Sequence, residues 1–219
     1  MNRMSHDVRT PINGIMGMLD IIRKNRQDEA KVDDCLDKIN LSASHLLALV
    51  NDVLDMNKLE SGKETIESAS FDLKHLMDDV ASLVNAQITE MGITHCTHRG
   101  ELTHTRLIGS PLRLRQIMLN LFSNAIKYNK PGGMIDTYAG EVSCDGTRVV
   151  YEFRITDSGI GMSSEFIEKE LFHPFTQEKS GARTQYKGTG LGMSIVKELI
   201  EKMQGTIEVT SQQGVGTTY

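Results

Sequence analysis

The sequence is poor in cysteine, carries no long apolar run and has no surplus of positive charge. Its three cysteines, Cys35, Cys96 and Cys144, lie far apart and form neither a CxxC pair nor an even set. That argues against a disulfide framework and fits a reducing, cytoplasmic setting. No apolar stretch approaches the roughly 20 residues that cross a bilayer, and the N-terminus lacks the basic-then-apolar order of a secretory signal. Membrane attachment is therefore expected only through segments outside this sequence. Lysine and arginine total 24 against 29 acidic residues, a formal net charge of −5, so no nucleic-acid partner is expected. What is there is 219 residues, enough for a sizeable core and more than the usual single domain of roughly 100 to 150.

Two helices are expected first. Met4, Val8, Ile12, Ile15, Met16, Leu19 and Ile22 recur at helical spacing until the polar run RKNRQDEAK, which reads as a loop. Val32, Leu36, Ile39, Ala43, Leu46, Val50 and Val53 then alternate steps of four and three, a heptad-like seam. A lone hairpin leaves one apolar flank of each helix uncovered, so a homodimeric four-helix bundle is expected. The segment LESGKETIESAS ends the seam, dividing the chain into residues 1–62 and 69–219.

The second part mixes periods. The pattern predicts a helix around 72–90, a β-like segment near 93–98, and a helix from Pro111 to Tyr128 that Ser110 and Pro111 start as N-cap and first-turn proline. MIDTYAGEV and TRVVYEFRITD read as strands paired around a CDGT turn, followed by a helix from Gly190 to Met203 and a strand GTIEVT. The fold class is α+β, a mixed sheet sandwiched with helices.

Within PLRLRQIMLNLFSNAIKY, the residues Arg113, Gln116, Asn120, Asn124 and Lys127 form one polar stripe, opposite Leu114, Met118, Leu121 and Ala125. A solvated surface face would give the same stripe, yet asparagine is a modest helix former. Its amide oxygen is a hard ligand suited to Mg²⁺, and lysine offers a point charge for phosphate. In ITDSGIGMS, the glycines suit a plain strand-ending turn. They equally suit a site where Asp157 accepts a hydrogen bond from an exocyclic amine such as that of adenine. GTGLGMSIV puts Gly188, Gly190 and Gly192 at a helix start, where backbone donors favour phosphate. The intervening SSEFIEKELFHPFTQEKSGARTQYK is long and mostly polar, as a mobile lid with Phe172 and Phe175 as hinge or docking anchors would be.

Five segments together resemble a family. SHDVRTP is similar to the phosphoacceptor box of two-component sensor histidine kinases, NLFSNAIKY to their asparagine box, DSGIGM to the first glycine box, LFHPF to the phenylalanine box and KGTGLGM to the second glycine box. The resemblance covers nearly the whole chain and keeps the family's order. It implies a dimerisation and phosphoacceptor hairpin followed by an ATP-binding domain of the histidine kinase/Hsp90-like superfamily, with ATP and Mg²⁺ as cofactors. It further implies that His6 takes the γ-phosphate and passes it to an aspartate of a receiver domain, separate or fused. Asp7 would hold the proton on the other ring nitrogen, and Thr10, one turn on, would orient a water that dephosphorylates the partner. Asn120 would bind Mg²⁺, Asn124 and Lys127 would contact phosphates or metal-bound water, and Tyr128 would stack near the adenine that Asp157 reads. Gly159, Gly161, Gly188, Gly190 and Gly192 would shape the pocket, with Phe172, Phe175, Lys187, Thr189 and Leu191 completing it. Pro11 removes a backbone hydrogen bond to the carbonyl of Asp7 and is expected to bend the helix beside the acceptor.

The sequence departs from that pattern. It opens five residues before His6, where the family has further helix, and ends at GVGTTY, where the family continues through one more strand; a fragment of a larger sensor is expected. Ser110 stands where many relatives carry aspartate. Gln177 stands where some carry a lid arginine, a role Lys187 or Arg183 would take over. His45 reads as a packed or surface residue rather than a second acceptor, and His95, Cys96 and His98 as neighbours on alternating faces rather than a metal site. The twelve methionines read as adaptable core filler. Two rival classes stand beside the kinase: a chaperone-like ATPase sharing the nucleotide fold, which would lack the histidine box, and a degenerate scaffold, which would not need both asparagines, Asp157 and the glycines.

Overall fold

The computed structural model describes residues 2–60, 66–178 and 188–219, of which residues 2–7 and 60 are described by their backbone alone. The chain divides into two compact units, Met1–Gly62 and Lys63–Tyr219.

The first unit is a hairpin of α1 (Asn2–Lys24) and α2 (Glu29–Glu60). Asn25 Nδ2 donates to the Ile21 carbonyl at 2.8 Å and closes α1. The Asp28 carboxylate accepts from Lys31 N–H at 3.1 Å and caps α2. Between the helices Pro11, Cys35 and Leu49 are buried, and a Cβ on Gly14 would lie 3.7 Å from Ser42 Oγ, so the helices pack closely there. Helix α1 runs as one element through Pro11. Ile12, Met16 and Leu19 of α1 and Leu36, Leu47, Val50 and Leu54 of α2 stay exposed, a stripe at helical spacing with no cover in the hairpin itself.

The second unit runs β1 (Ala69–Asp72), α3 (Leu73–Glu90), β2 (Thr94–Arg99), β3 (Arg106–Gly109), α4 (Pro111–Lys127), β4 (Met134–Cys144), β5 (Val149–Asp157), α5 (Ser164–Lys169), α6 (Gly192–Lys202), β6 (Thr210–Gln212) and β7 (Gly216–Thr218). Five strands form a mixed sheet in the order β2-β4-β5-β7-β6, and β1 pairs with β3 in a separate ribbon. Among the described strands only β2 and β4 pair in parallel, and a parallel pair needs a crossover; here it contains α4. Ile135, Thr137 and Ala139 alternate along β4 on the buried face. Leu76, Val80 and Val84 of α3, Met118, Leu121 and Ala125 of α4, and Ile195, Val196 and Leu199 of α6 supply the helical side of the core.

Ser110 caps α4 as its position before Pro111 predicts, its hydroxyl accepting from Arg113 N–H at 3.3 Å. Three expectations need correction. GTIEVT is not a strand over its length: β6 begins only at Thr210, whose ladder partner is Thr218. The polar stretch after the first glycine cluster is not wholly loop, because Ser163 caps a short helix α5 by accepting from Phe166 N–H at 3.2 Å. The β1–β3 ribbon, pairing Ala69 with Gly109, was not expected. His95 lies between Asn85 Oδ1 and Thr137 Oγ1, and His98 Nε2 meets Asp136 Oδ2 at 2.9 Å.

Candidate functional site

Helix α4 turns its apolar side into the core and leaves Asn120, Asn124 and Lys127 half-buried. Facing them is the second glycine segment. A Cβ on Gly192 would lie 3.8 Å from Asn120 Oδ1, and a Cβ on Gly188 would collide with Lys127 Nζ. The Lys127 ammonium also donates to Tyr128 Oη at 3.1 Å and sits 4.6 Å over that ring. With so little water around it, burial pulls Lys127 down to about 8 and pushes the Tyr128 hydroxyl up. No described side chain caps the start of α6, so its first turn presents backbone donors and a positive dipole end beside Asn120.

The phenylalanine segment is tied to the same glycines. Phe175 donates its N–H to the Gly190 carbonyl at 2.9 Å and holds a left-handed φ of 62°, uncommon outside glycine. Gln177 donates its amide to the Gly188 carbonyl. Phe172 packs its ring 5.3 Å from Lys197 Nζ, Thr189 Oγ1 accepts from Leu191 N–H at 3.2 Å, and Leu191 is fully buried. Lys187 and Arg183 lie outside the described residues.

Asp157 closes β5 and is 6% exposed. Its carboxylate accepts from Gly159 N–H at 2.8 Å, while burial raises it above the usual carboxylate range. The glycines around it serve close packing. A Cβ on Gly159 would strike the Tyr128 carbonyl, one on Gly161 the Gln212 carbonyl, and one on Gly216 the carbonyl of Asp157 itself. Gly161 also needs its φ of 64°.

The structure thus brings Asn120, Asn124, Lys127, Tyr128, Asp157 and both glycine segments into one unit. His6, Asp7 and Thr10 stand in the other, on successive turns of α1, with Thr10 exposed. Three residues escaped the sequence reading. Thr217 is buried and paired with Asp157 across the β5–β7 ladder. Tyr219 has its hydroxyl raised first by burial and then by the charges of Asp157 and Tyr128. Asn129 is 1% exposed; its amide donates to the Met134 carbonyl and its oxygen accepts from Lys130 N–H, which holds the turn below Tyr128. An asparagine directly before KPGG was the available signal for the last; nothing local marked the other two.

The comparisons define the class first. Residues 109–219 match the family of histidine kinase-, DNA gyrase B-, and HSP90-like ATPases, and residues 1–62 match the His Kinase A (phospho-acceptor) domain. The chain belongs to the histidine kinases of that ATPase family. It is 37% identical over 219 residues to hybrid signal transduction histidine kinase B of Dictyostelium discoideum, covering 100% of this chain and 11% of the relative. It is 34% identical over 218 residues to the autoinducer 2 sensor kinase/phosphatase LuxQ of Vibrio parahaemolyticus, covering 99% and 25%. Full-length ShkA in complex with AMPPNP shares its fold with a TM-score of 0.68 and 29% identity, covering 98% of this chain and 43% of that one. The chain therefore spans a quarter or less of the length of these curated relatives.

Proposed function

We propose that the chain is the core of a two-component sensor histidine kinase that phosphorylates His6 from Mg²⁺-ATP and hands the phosphate to an aspartate of a receiver domain. The observation that carries this reading is the convergence of Asn120 and Lys127 on Gly188 and Gly192 at the start of α6, which no described side chain caps. A hard amide oxygen, an ammonium and the first backbone donors of a helix that no described side chain caps stand together here, and together they suit a triphosphate. Asn120 would hold Mg²⁺ through its amide oxygen, and that ion would neutralise charge on the phosphate oxygens. Asn124 and Lys127 would bind the phosphates, Asp157 would accept from the adenine amine, and Tyr128 would lie along the base. The relative crystallised with AMPPNP supports the same nucleotide class.

A neutral ring nitrogen of His6 attacks the γ-phosphorus, a nitrogen–phosphorus bond forms and the bond to the β,γ-bridging oxygen breaks, releasing ADP. Asp7 would take or hold the proton of the other ring nitrogen. Thr10, four residues on and therefore on the same helix face, would orient water against the phosphorylated partner. The name kinase/phosphatase borne by the LuxQ relative favours this second activity. The exposed stripe on the hairpin and the phosphoacceptor family match support a homodimer. Among the described residues no helix is long and apolar enough to cross a membrane; a cytoplasmic location of this segment is part of the proposal.

The test is incubation with Mg²⁺ and ATP labelled on the γ-phosphate. Acid-labile, base-stable label is expected on the wild type and none on His6→Ala; label that persists in the variant overturns the assignment. Thr10→Ala is expected to keep autophosphorylation and to lose partner dephosphorylation, and undiminished dephosphorylation removes Thr10 from that role.

A further inference from the structure

At the end of the β4–β5 hairpin away from Asp157, three side chains of metal-ligating type meet that the kinase reaction leaves unused. His104, Glu141 and Cys144 each offer one ligand atom, and these atoms lie within 4.8 Å of one another. Simple alternation would send residues three apart on a strand to opposite faces. A bulge between Glu141 and Ser143 changes the count, so that Glu141 pairs with Tyr151 and Cys144 with Val149. Tyr151 and Val149 are two apart and share a face, and their partners Glu141 and Cys144 share it with them.

The third side chain comes from the connection between β2 and β3, which is tied down at this point. Glu141 Oε2 accepts from the backbone N–H groups of Thr103 at 3.1 Å and His104 at 3.0 Å. The Tyr151 hydroxyl donates to the His104 carbonyl. Glu141 Oε1 lies 2.8 Å from His104 Nδ1, and only about an eighth of the Glu141 side chain is exposed. Carboxylate and imidazole are thus already held together, and little ordering remains when an ion arrives. Cys144 is free and exposed, with Gly146 N–H directed at its sulfur at 3.4 Å.

We propose that His104, Glu141 and Cys144 form a binding site for a borderline divalent transition ion, Zn²⁺ in the first instance, with water as the fourth ligand. Imidazole nitrogen, carboxylate oxygen and thiolate sulfur make a zinc-type donor set. Bond lengths of roughly 2.0 to 2.3 Å in a tetrahedral site separate ligand atoms by roughly 3.3 to 3.8 Å. The three donors lie within 4.8 Å of one another, so ligation requires the widest of these spacings to close by about 1 Å or more. Binding inserts the ion between His104 and Glu141: the Nδ1 proton directed at Glu141 is exchanged through solvent for one on Nε2, which frees Nδ1 to ligate, and the Cys144 thiol proton is released to solvent. The ion would fasten the β2–β3 connection to the hairpin and stabilise the folded unit by mass action. Mg²⁺, which prefers oxygen, would not compete for the thiolate.

The test uses the tag-free full chain, kept reduced with a phosphine, titrated with Co²⁺ as a visible probe and then with Zn²⁺. Uptake of one ion per chain is expected, with a thiolate-to-cobalt charge-transfer band and tetrahedral ligand-field bands that Zn²⁺ abolishes and excess Mg²⁺ does not. Cys144→Ser loses the charge-transfer band, Cys96→Ser keeps it, and His104→Ala weakens Zn²⁺ binding by about tenfold or more. Zn²⁺ raises the melting temperature of the wild type and not of folded Cys144→Ser. A charge-transfer band that survives in Cys144→Ser, unchanged affinity in His104→Ala, or no one-to-one uptake by the folded wild type overturns the proposal.

Discussion

Lys127 is the residue whose environment says most about the site. Its ammonium has been drawn out of water against the Tyr128 ring, and burial alone lowers it from 10.5 to about 8. The unfolded chain therefore binds more protons than the folded one between about pH 8 and 10.5. Stability is penalised in full below pH 8 and recovers as pH rises through that window. A buried cation with no described carboxylate on it is a cost that anionic phosphate would reverse, because phosphate oxygens favour the charged form. Nucleotide binding should accordingly be independent of Lys127 titration below pH 7 and take up a proton above pH 8. By pH 9 the dissociation constant for Mg²⁺-ATP should have risen about tenfold. Calorimetry in buffers of different ionisation enthalpy measures both the affinity and the proton uptake. Lys127→Arg, which stays charged, should flatten the profile; a wild-type affinity that does not change between pH 7 and 9 shows that Lys127 does not meet the phosphates.

Helix α4 orients that lysine, and its start is set by one hydroxyl. Ser110 is 1% exposed and its Oγ satisfies the N–H of Arg113, so Ser110→Ala strands a part-buried donor and should cost about 1 kcal/mol. For a unit of this size that is a melting-temperature drop of about 2 to 4 °C, read by circular dichroism; Ser110→Asp should recover most of it. Such elements were legible because their signals are local. The Ser-Pro start predicted α4, and Asp145 predicted the CDGT turn, where its carboxylate accepts from Thr147 and Arg148 N–H groups and is held down at about 2. GTIEVT misled because alternation reports a face and not a partner strand. The β1–β3 ribbon was invisible because Ala69 meets Gly109 across a stretch of other structure. The same division runs through the site: the stripe of Asn120, Asn124 and Lys127 is written in one helix, whereas Thr217 reaches Asp157 only through sheet pairing.

At the scale of the whole molecule, the hairpin cannot bury its own surface. Met16 is 57% exposed and Leu47 62%, and they belong to stripes running 12, 16, 19 and 47, 50, 54 on the two helices. Those steps of three and four repeat along one side of each helix, which is the pattern that a second copy of the same hairpin covers in a four-helix bundle. A two-fold interface uses the same residues on both chains, so each substitution acts twice. Burying a leucine or methionine contributes about 1.5 to 3 kcal/mol, and losing two such contacts weakens a dimer by about 3 to 6 kcal/mol, a factor of a hundred or more. The chain should therefore sediment as a dimer at micromolar concentration, and Leu47→Glu, which also places like charges near the two-fold axis, should sediment as a monomer of unchanged helix content. Its affinity for Mg²⁺-ATP should stay at the wild-type value, because the residues proposed to hold the nucleotide all belong to the second unit. Analytical ultracentrifugation with calorimetry on the same samples decides it: a monomeric wild type, or a Leu47→Glu chain that remains dimeric, rules this face out as the interface.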